Sequence, residues 1–203
     1  MARVRAVLNQ GYAIHEDGWT ETLAGLSLLV KQIEQFEKSG DNFNAVYLLR
    51  LAIISSCYLA EQMFSKSVSI YVEKALQQCV QDQREYRLLT NWSRRNTLRK
   101  VGISRAMKER PEILTGAKFN MGEGALQALA ALTRKRNDIV HKLNDLTQYS
   151  QPAQVAKSAI FTAVEACKEI EKHFFPGQDF SYSEWLQEYP VENTGFFKKD
   201  ITS

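Results

Sequence analysis

Apolar positions along this chain recur at helical spacing, and no stretch shows the strict alternation of a strand. In residues 19–38 (WTETLAGLSLLVKQIEQFEK), Leu23, Leu26, Val30, Ile33 and Phe36 fall three or four apart, which predicts a first helix. Asp17 or Thr20 is placed to cap its start, and Gly40 marks its end. A second run opens at Asp41 or Asn42 and continues to about Val80. Tyr47, Leu51, Ile54, Tyr58 and Gln62 share one face of it, yet apolar residues cover most of its circumference, which predicts a helix at the centre of a bundle. The Ser-rich, β-branched patch Ser65–Ser69 is a candidate break, so one long helix and two shorter ones both fit. Residues 83–116 are basic and irregular, with short helical turns interrupted by Gly102 and Pro111. A glycine-bearing loop, 116–124, follows, then a helix over 125–146. After a break at 147–152 comes a helix over 152–174, with Pro152 suited to its first turn. Val155, Ala159, Ala163, Ala166 and Ile170 give that helix a narrow seam for close packing. The prediction is an all-α protein, an antiparallel bundle of four or five helices. Residues 1–18 form an N-terminal segment, 19–175 the bundle, and 176–203 a tail too aromatic to stay solvated, expected to pack on the body or on a partner.

The net charge of +3 conceals an asymmetry. Between Arg84 and Lys142 there are 14 Lys and Arg against five Asp and Glu, a surplus of nine, so the rest of the chain is acidic by six. A basic middle on an acidic body suits a polyanionic partner, although a solvated helix face has the same composition. No apolar run reaches the roughly 18–20 residues of a membrane span, and the N-terminus lacks the apolar core of a secretion signal. Cys57, Cys79 and Cys167 are odd in number and lie within helical patterns, which points to free thiols in a reducing cytoplasm. No pair of Cys or His has metal-ligand spacing, so no metal or cofactor is expected. The 116–124 loop has neither the spacing of a phosphate-cradling loop nor a strand before it.

The candidate chemistry sits in Leu132–Leu146 (LTRKRNDIVHKLNDL). At about 100° per residue, Leu129, Leu132, Ile139, Leu143 and Leu146 form an apolar stripe, and Arg136 falls inside it. Asn137 and His141, four apart, share a face that points roughly the other way. A guanidinium inside an apolar stripe demands a carboxylate, and Glu61, beside the Ile54/Tyr58 face of the central helix, is the candidate partner; as an isolated acid it would be a rim residue reaching solvent. His173, at a helix C-terminus, is explained by the dipole there, which favours an imidazolium.

The string Arg136-Asn137-Asp138-Ile139-Val140-His141 resembles the Arg-x4-His signature of the HEPN superfamily, whose members often carry a polar residue directly after the Arg. The resemblance spans roughly residues 20–175 and includes a central apolar helix bearing an acid, here Glu61. It implies a homodimer in which two such helices meet across a cleft. Many members are metal-independent RNases of toxin–antitoxin, abortive-infection or CRISPR-associated defence systems, so RNA and an antitoxin or defence partner are implied. By the same resemblance His141 acts in proton transfer at the 2′-OH or leaving oxygen, Arg136 neutralises the pentacoordinate phosphate, Asn137 orients His141 or the phosphate, and the product carries a 2′,3′-cyclic phosphate. Arg134 and Lys135, with Arg94, Arg95, Arg99 and Lys100 of the basic segment, would hold the RNA backbone. One departure is Leu143, where members silenced by nucleotidyl transfer carry Tyr. The alternatives are a non-catalytic HEPN module binding RNA, a nucleotide or a protein, and a helical scaffold in which Arg136 and His141 only pack.

Overall fold

The structure is a computed structural model that describes residues 19–78, 103–141 and 149–177. Among them are five helices and no strand: α1 (Trp19–Ser39), α2 (Asn42–Gln78), α3 (Ile103–Thr115), α4 (Gly124–His141) and α5 (Pro152–Phe174). The protein is all-α. Asp17, His15, Cys79, Arg94, Arg95, Arg99, Lys100, Leu143, Leu146 and the aromatic tail lie outside the described residues.

α1 and α2 form a tight hairpin. Gly40 adopts φ +76°, a left-handed conformation open to glycine at little cost, and so stops α1 one residue after Ser39. Asp41 then caps α2: its Oδ1 accepts the Asn44 N–H at 3.1 Å. Thr20 falls within the first turn of α1 and is not its cap.

α2 is one helix of 37 residues, which decides between the two readings of the Ser65–Ser69 patch. The serines there turn their hydroxyls back onto the helix, Ser65 Oγ donating to the Glu61 carbonyl at 2.8 Å and Ser69 Oγ to that of Ser65 at 3.0 Å. Such bonds satisfy the hydroxyl without breaking the backbone ladder. α2 is long and apolar enough to cross a membrane by length and composition, contrary to the span-length reading of its sequence, but half of its apolar window is buried inside the bundle.

The largest packing surface is that between α2 and α5. The α5 seam is fully realised, with Val155, Ala159, Ala163, Ala166 and Ile170 all buried. Small residues let the backbones approach closely, and α2 too carries small residues on its buried side, Ala45, Ala52, Ser56 and Ala60, each wholly buried. Phe64, also wholly buried, stacks edge-on against Phe119 and is tilted against Phe174. Contacts at the two ends of α5 set its direction relative to α2. The Ala153 N–H donates to Glu37 at the end of α1, and Lys157 pairs with Glu34, so α5 starts beside the start of α2. It ends where Phe174 meets Phe64 and Tyr71. α2 and α5 therefore run parallel, α3 and α4 lying between them in sequence.

One further expectation is corrected. Pro111 does not interrupt a helix: α3 runs through it, and the proline is buried. Only one backbone bond, to the carbonyl one turn back, is forfeited in a 13-residue helix. The face of α2 marked by Tyr47, Leu51 and Tyr58 turns outward; these side chains are 55%, 40% and 51% exposed.

Candidate functional site

α4 begins at Gly124, whose φ of +69° admits the chain from the 116–123 loop, and buries Leu126, Leu129 and Leu132. Ile139 continues the stripe, half-buried against the core. One turn beyond Leu132, Arg136 reaches from the rim of this stripe across to α2. Its Nη1 donates to Glu61 Oε1 at 2.5 Å, and its Nε donates to Asn137 Oδ1 at 3.1 Å. The two charged side chains are 22% and 27% exposed, so the pair is sheltered but not sealed from water. The pairing expected between the guanidinium and the central-helix carboxylate is present.

Beneath the pair lies Cys57, one turn before Glu61 and 1% exposed. Burial pushes its thiol up to about 12; Glu61 adds to the rise, while Arg136 and a hydrogen bond with Thr133 oppose it. A thiol so held stays protonated and is no nucleophile. The sequence marked Cys57 only as a free thiol, not as a neighbour of this pair, and did not mark Thr133. Their signal was helical spacing alone: Cys57 is four before Glu61, and Thr133 three before Arg136.

Asn137 and His141 are exposed. The Asn137 carbonyl oxygen accepts from Arg136. His141 closes the described part of α4 and makes no hydrogen bond or ion pair to any described residue. Five positions separate it from Arg136, which turns the two side chains about 140° apart around the helix. Within one chain the guanidinium and the imidazole diverge.

The expected RNA-backbone contacts divide. Arg134 is exposed beside the cluster. Lys135 is half-buried, its ammonium 4.9 Å from the centre of the Tyr149 ring. In the basic segment, Arg105 is exposed and bonded to Glu109 at 2.6 Å. Arg110 is 4% exposed, and burial lowers its pKa; it is part of the packed interior and cannot hold a phosphate chain.

A cavity of about 700 Å³ opens at the other end of α4, lined by Phe119, Asn120, Glu123, Glu169, Lys172 and His173 among others. An 18-residue helix is roughly 27 Å long, so this cavity and the Arg136–His141 cluster are far apart. The polyanion-directed residues lie on the open surface, where a strand can be laid across them, so the cluster and not the cavity is the candidate site. Among the described residues no group of His, Cys, Asp and Glu could hold a metal ion.

His173 belongs to the cavity wall and differs from its sequence expectation. Its Nε2 is 2.9 Å from Thr115 Oγ1, and its ring meets Phe119 edge-on at 4.6 Å. Burial lowers its pKa, outweighing the raising effect of the Ala117 carbonyl, so the neutral ring is favoured despite the helix terminus. A folded-state pKa below the ordinary value of 6.5 means the unfolded chain binds more protons, so stability is complete above pH 6.5 and falls as pH drops below it. Thermal denaturation between pH 7.5 and 5 is expected to show this decline, and His173→Gln to flatten it. An unchanged slope in that variant would remove His173 as the cause.

Compared with protein-family models, curated proteins and solved structures, the chain has no match.

Proposed function

We propose that the chain is a metal-independent endoribonuclease of the HEPN type, acting in the cytoplasm as a toxin or phage-defence effector, with its site shared between two copies. The observation that carries this reading is the guanidinium of Arg136 pinned by Glu61 and Asn137, with an exposed His141, bonded to no described residue, on the same helix end. An Arg fixed in advance loses little freedom when it meets a phosphate, and an imidazole open to solvent is free to take or give a proton. Because the two groups diverge on one helix, Arg136 of one protomer is proposed to work with His141 of its partner across a two-fold cleft. In the reaction the 2′-oxygen attacks phosphorus and the bond to the 5′-oxygen breaks. The imidazole takes the 2′ proton or protonates the departing 5′-oxygen, leaving a 2′,3′-cyclic phosphate and a 5′-hydroxyl. Arg134 supports the backbone beside the cut.

One observation favours the second reading, a non-catalytic module that binds RNA, a nucleotide or a protein. Glu61 already neutralises Arg136, which lowers the charge available to a phosphorane.

Mixed RNAs incubated with the purified chain in EDTA test the two readings. Cleavage into 2′,3′-cyclic and 5′-hydroxyl ends, by a protein that sediments as a dimer at micromolar concentration, is expected. Intact RNA bound in a salt-sensitive manner would leave the binding module. A monomer would sink the shared site.

A further inference from the structure

The outer face of α2 carries a stripe of exposed Phe43, Tyr47, Leu51 and Tyr58, all within about 80° of one another around the helix. Scattered apolar surface residues need no explanation, but three aromatics and a leucine in one line do.

This stripe and the Arg136 cluster line one groove. Two contacts fix how α4 is turned: Thr133 hydrogen-bonds Cys57 of α2, and Lys135 lies on the Tyr149 ring beside the start of α5. Moving round α4 from Lys135 through Arg136 and Thr133, the next positions are Asn137 and His141, about 40° and 80° past Thr133. Exposed Arg134 follows about 20° past His141. On α2 the stripe begins in the same way, Tyr47 and Tyr58 lying about 40° and 60° past Glu61. Both sets therefore face outward from the seam between α2 and α4, on the side away from α5. The direction of α4 brings them level. Gly124 and Leu126 share a cavity with Lys172 and His173 at the end of α5, so α4 runs antiparallel to α5 and to α2. From Arg136 to His141 it advances about 7.5 Å toward the Tyr47 end of the stripe.

We infer that the stripe is a base-stacking platform, along which unpaired nucleotides of an RNA strand lie while Arg134 and Arg136 hold the phosphates beside His141. This rests on the reading of the cluster as RNA-facing, which the nuclease and the RNA-binding module share, and it adds the path of the strand and its single-stranded character. The side chains divide the work as a single strand requires. The floor is uncharged and mostly aromatic, and a ring face accepts any base; the cations stand along one edge, where the sugar–phosphate chain would run. A duplex keeps its bases stacked inside and offers the tyrosines nothing to cover. A second copy is the poorer occupant. By itself the stripe offers roughly 400–500 Å², given aromatic areas of about 150–250 Å², little more than half of the ~800 Å² per partner of a stable protein interface.

The test uses the full chain and a short fluorescent 2′-O-methyl RNA, which has no 2′-hydroxyl to attack phosphorus and so reports binding without cleavage. The single strand is expected to bind about tenfold more tightly than the same strand paired with its complement. Tyr58→Leu and Tyr47→Leu, which keep an apolar side chain, are each expected to weaken that binding about five- to a hundredfold, and Tyr58→Phe, which keeps the ring, to stay within about twofold. No binding by the parent chain overturns the platform, as does equal binding by the two leucine variants. So does a change from dimer to monomer in those variants, which gives the stripe to a second copy. Unmodified RNA separates this outcome from the fate of the nuclease. Binding that depends on Tyr58 with no cleavage keeps the platform and sinks the nuclease; cleavage with an unchanged KM in Tyr58→Leu does the reverse. Should the leucine variants fail to fold, photocrosslinking of a 5-iodouridine strand to the unsubstituted chain decides: adducts on Tyr47 or Tyr58 support the platform, and adducts only elsewhere refute it.

Discussion

Replacing His141 by Ala is expected to reduce EDTA-resistant RNA cleavage by about a hundred- to ten-thousandfold, the usual contribution of a positioned proton-transfer group. The melting temperature should hardly move, since an exposed side chain with no described partner contributes within about 0.5 kcal/mol. Those two readings together separate chemistry from folding. Mixing sharpens the test. If Arg136 of one chain serves His141 of the other, a dimer of an Arg136→Ala chain with a His141→Ala chain contains one intact site. Two inactive preparations, mixed and allowed to exchange, should then recover about a quarter of the normal rate, because half of the dimers are mixed and each has one of two sites. Full activity in His141→Ala removes the imidazole from the reaction. Absence of recovery on mixing removes the trans arrangement.

How much of this was legible in the sequence differs from residue to residue. The Glu61–Arg136 pair could be read because a guanidinium within an apolar stripe needs a carboxylate, and Glu61 is an acid in the apolar run of the central helix. The small-residue seam of α5 was equally plain, since nothing but close packing explains Val155, Ala159, Ala163, Ala166 and Ile170 at helical spacing. The orientation of α2 was not. Its outer face carries the bulkier residues Phe43, Tyr47 and Tyr58, and its core face carries Ala45, Ala52, Ser56 and Ala60. Hydrophobicity points to the first set and interhelical distance to the second; a helix apolar nearly all round leaves only the partner's seam to decide. His173 failed for a related reason. The dipole at the end of α5 is local and readable, whereas the burial that reverses its effect comes from Phe119 and α3, remote in sequence. Arg110 looked like part of a basic surface because charge counts do not register burial.

The second large effect concerns the ion pair, where structural and chemical roles come apart. Glu61→Gln leaves a partly buried guanidinium with Asn137 alone, and Arg136→Ala leaves a partly buried carboxylate. Either change is expected to cost about 1–2 kcal/mol, short of the 3–5 kcal/mol of a fully buried pair because a quarter of each side chain reaches water. Cleavage should respond unequally. Arg136→Ala removes the group that meets the developing charge and is expected to lose about a hundred- to a thousandfold. Glu61→Gln keeps the guanidinium but loosens it, with a loss of about tenfold. Glu61→Leu combined with Arg136→Met fills the space with apolar side chains and leaves no charge unpaired, so its stability should return to within about 1 kcal/mol of the parent while cleavage stays at the Arg136→Ala level. A pair that served only the fold would give the opposite result, with cleavage recovering alongside the melting temperature. Glu61→Gln with both melting temperature and cleavage unaltered would show that the carboxylate holds nothing in place, and the pinned guanidinium would lose its standing as the anchor of the site.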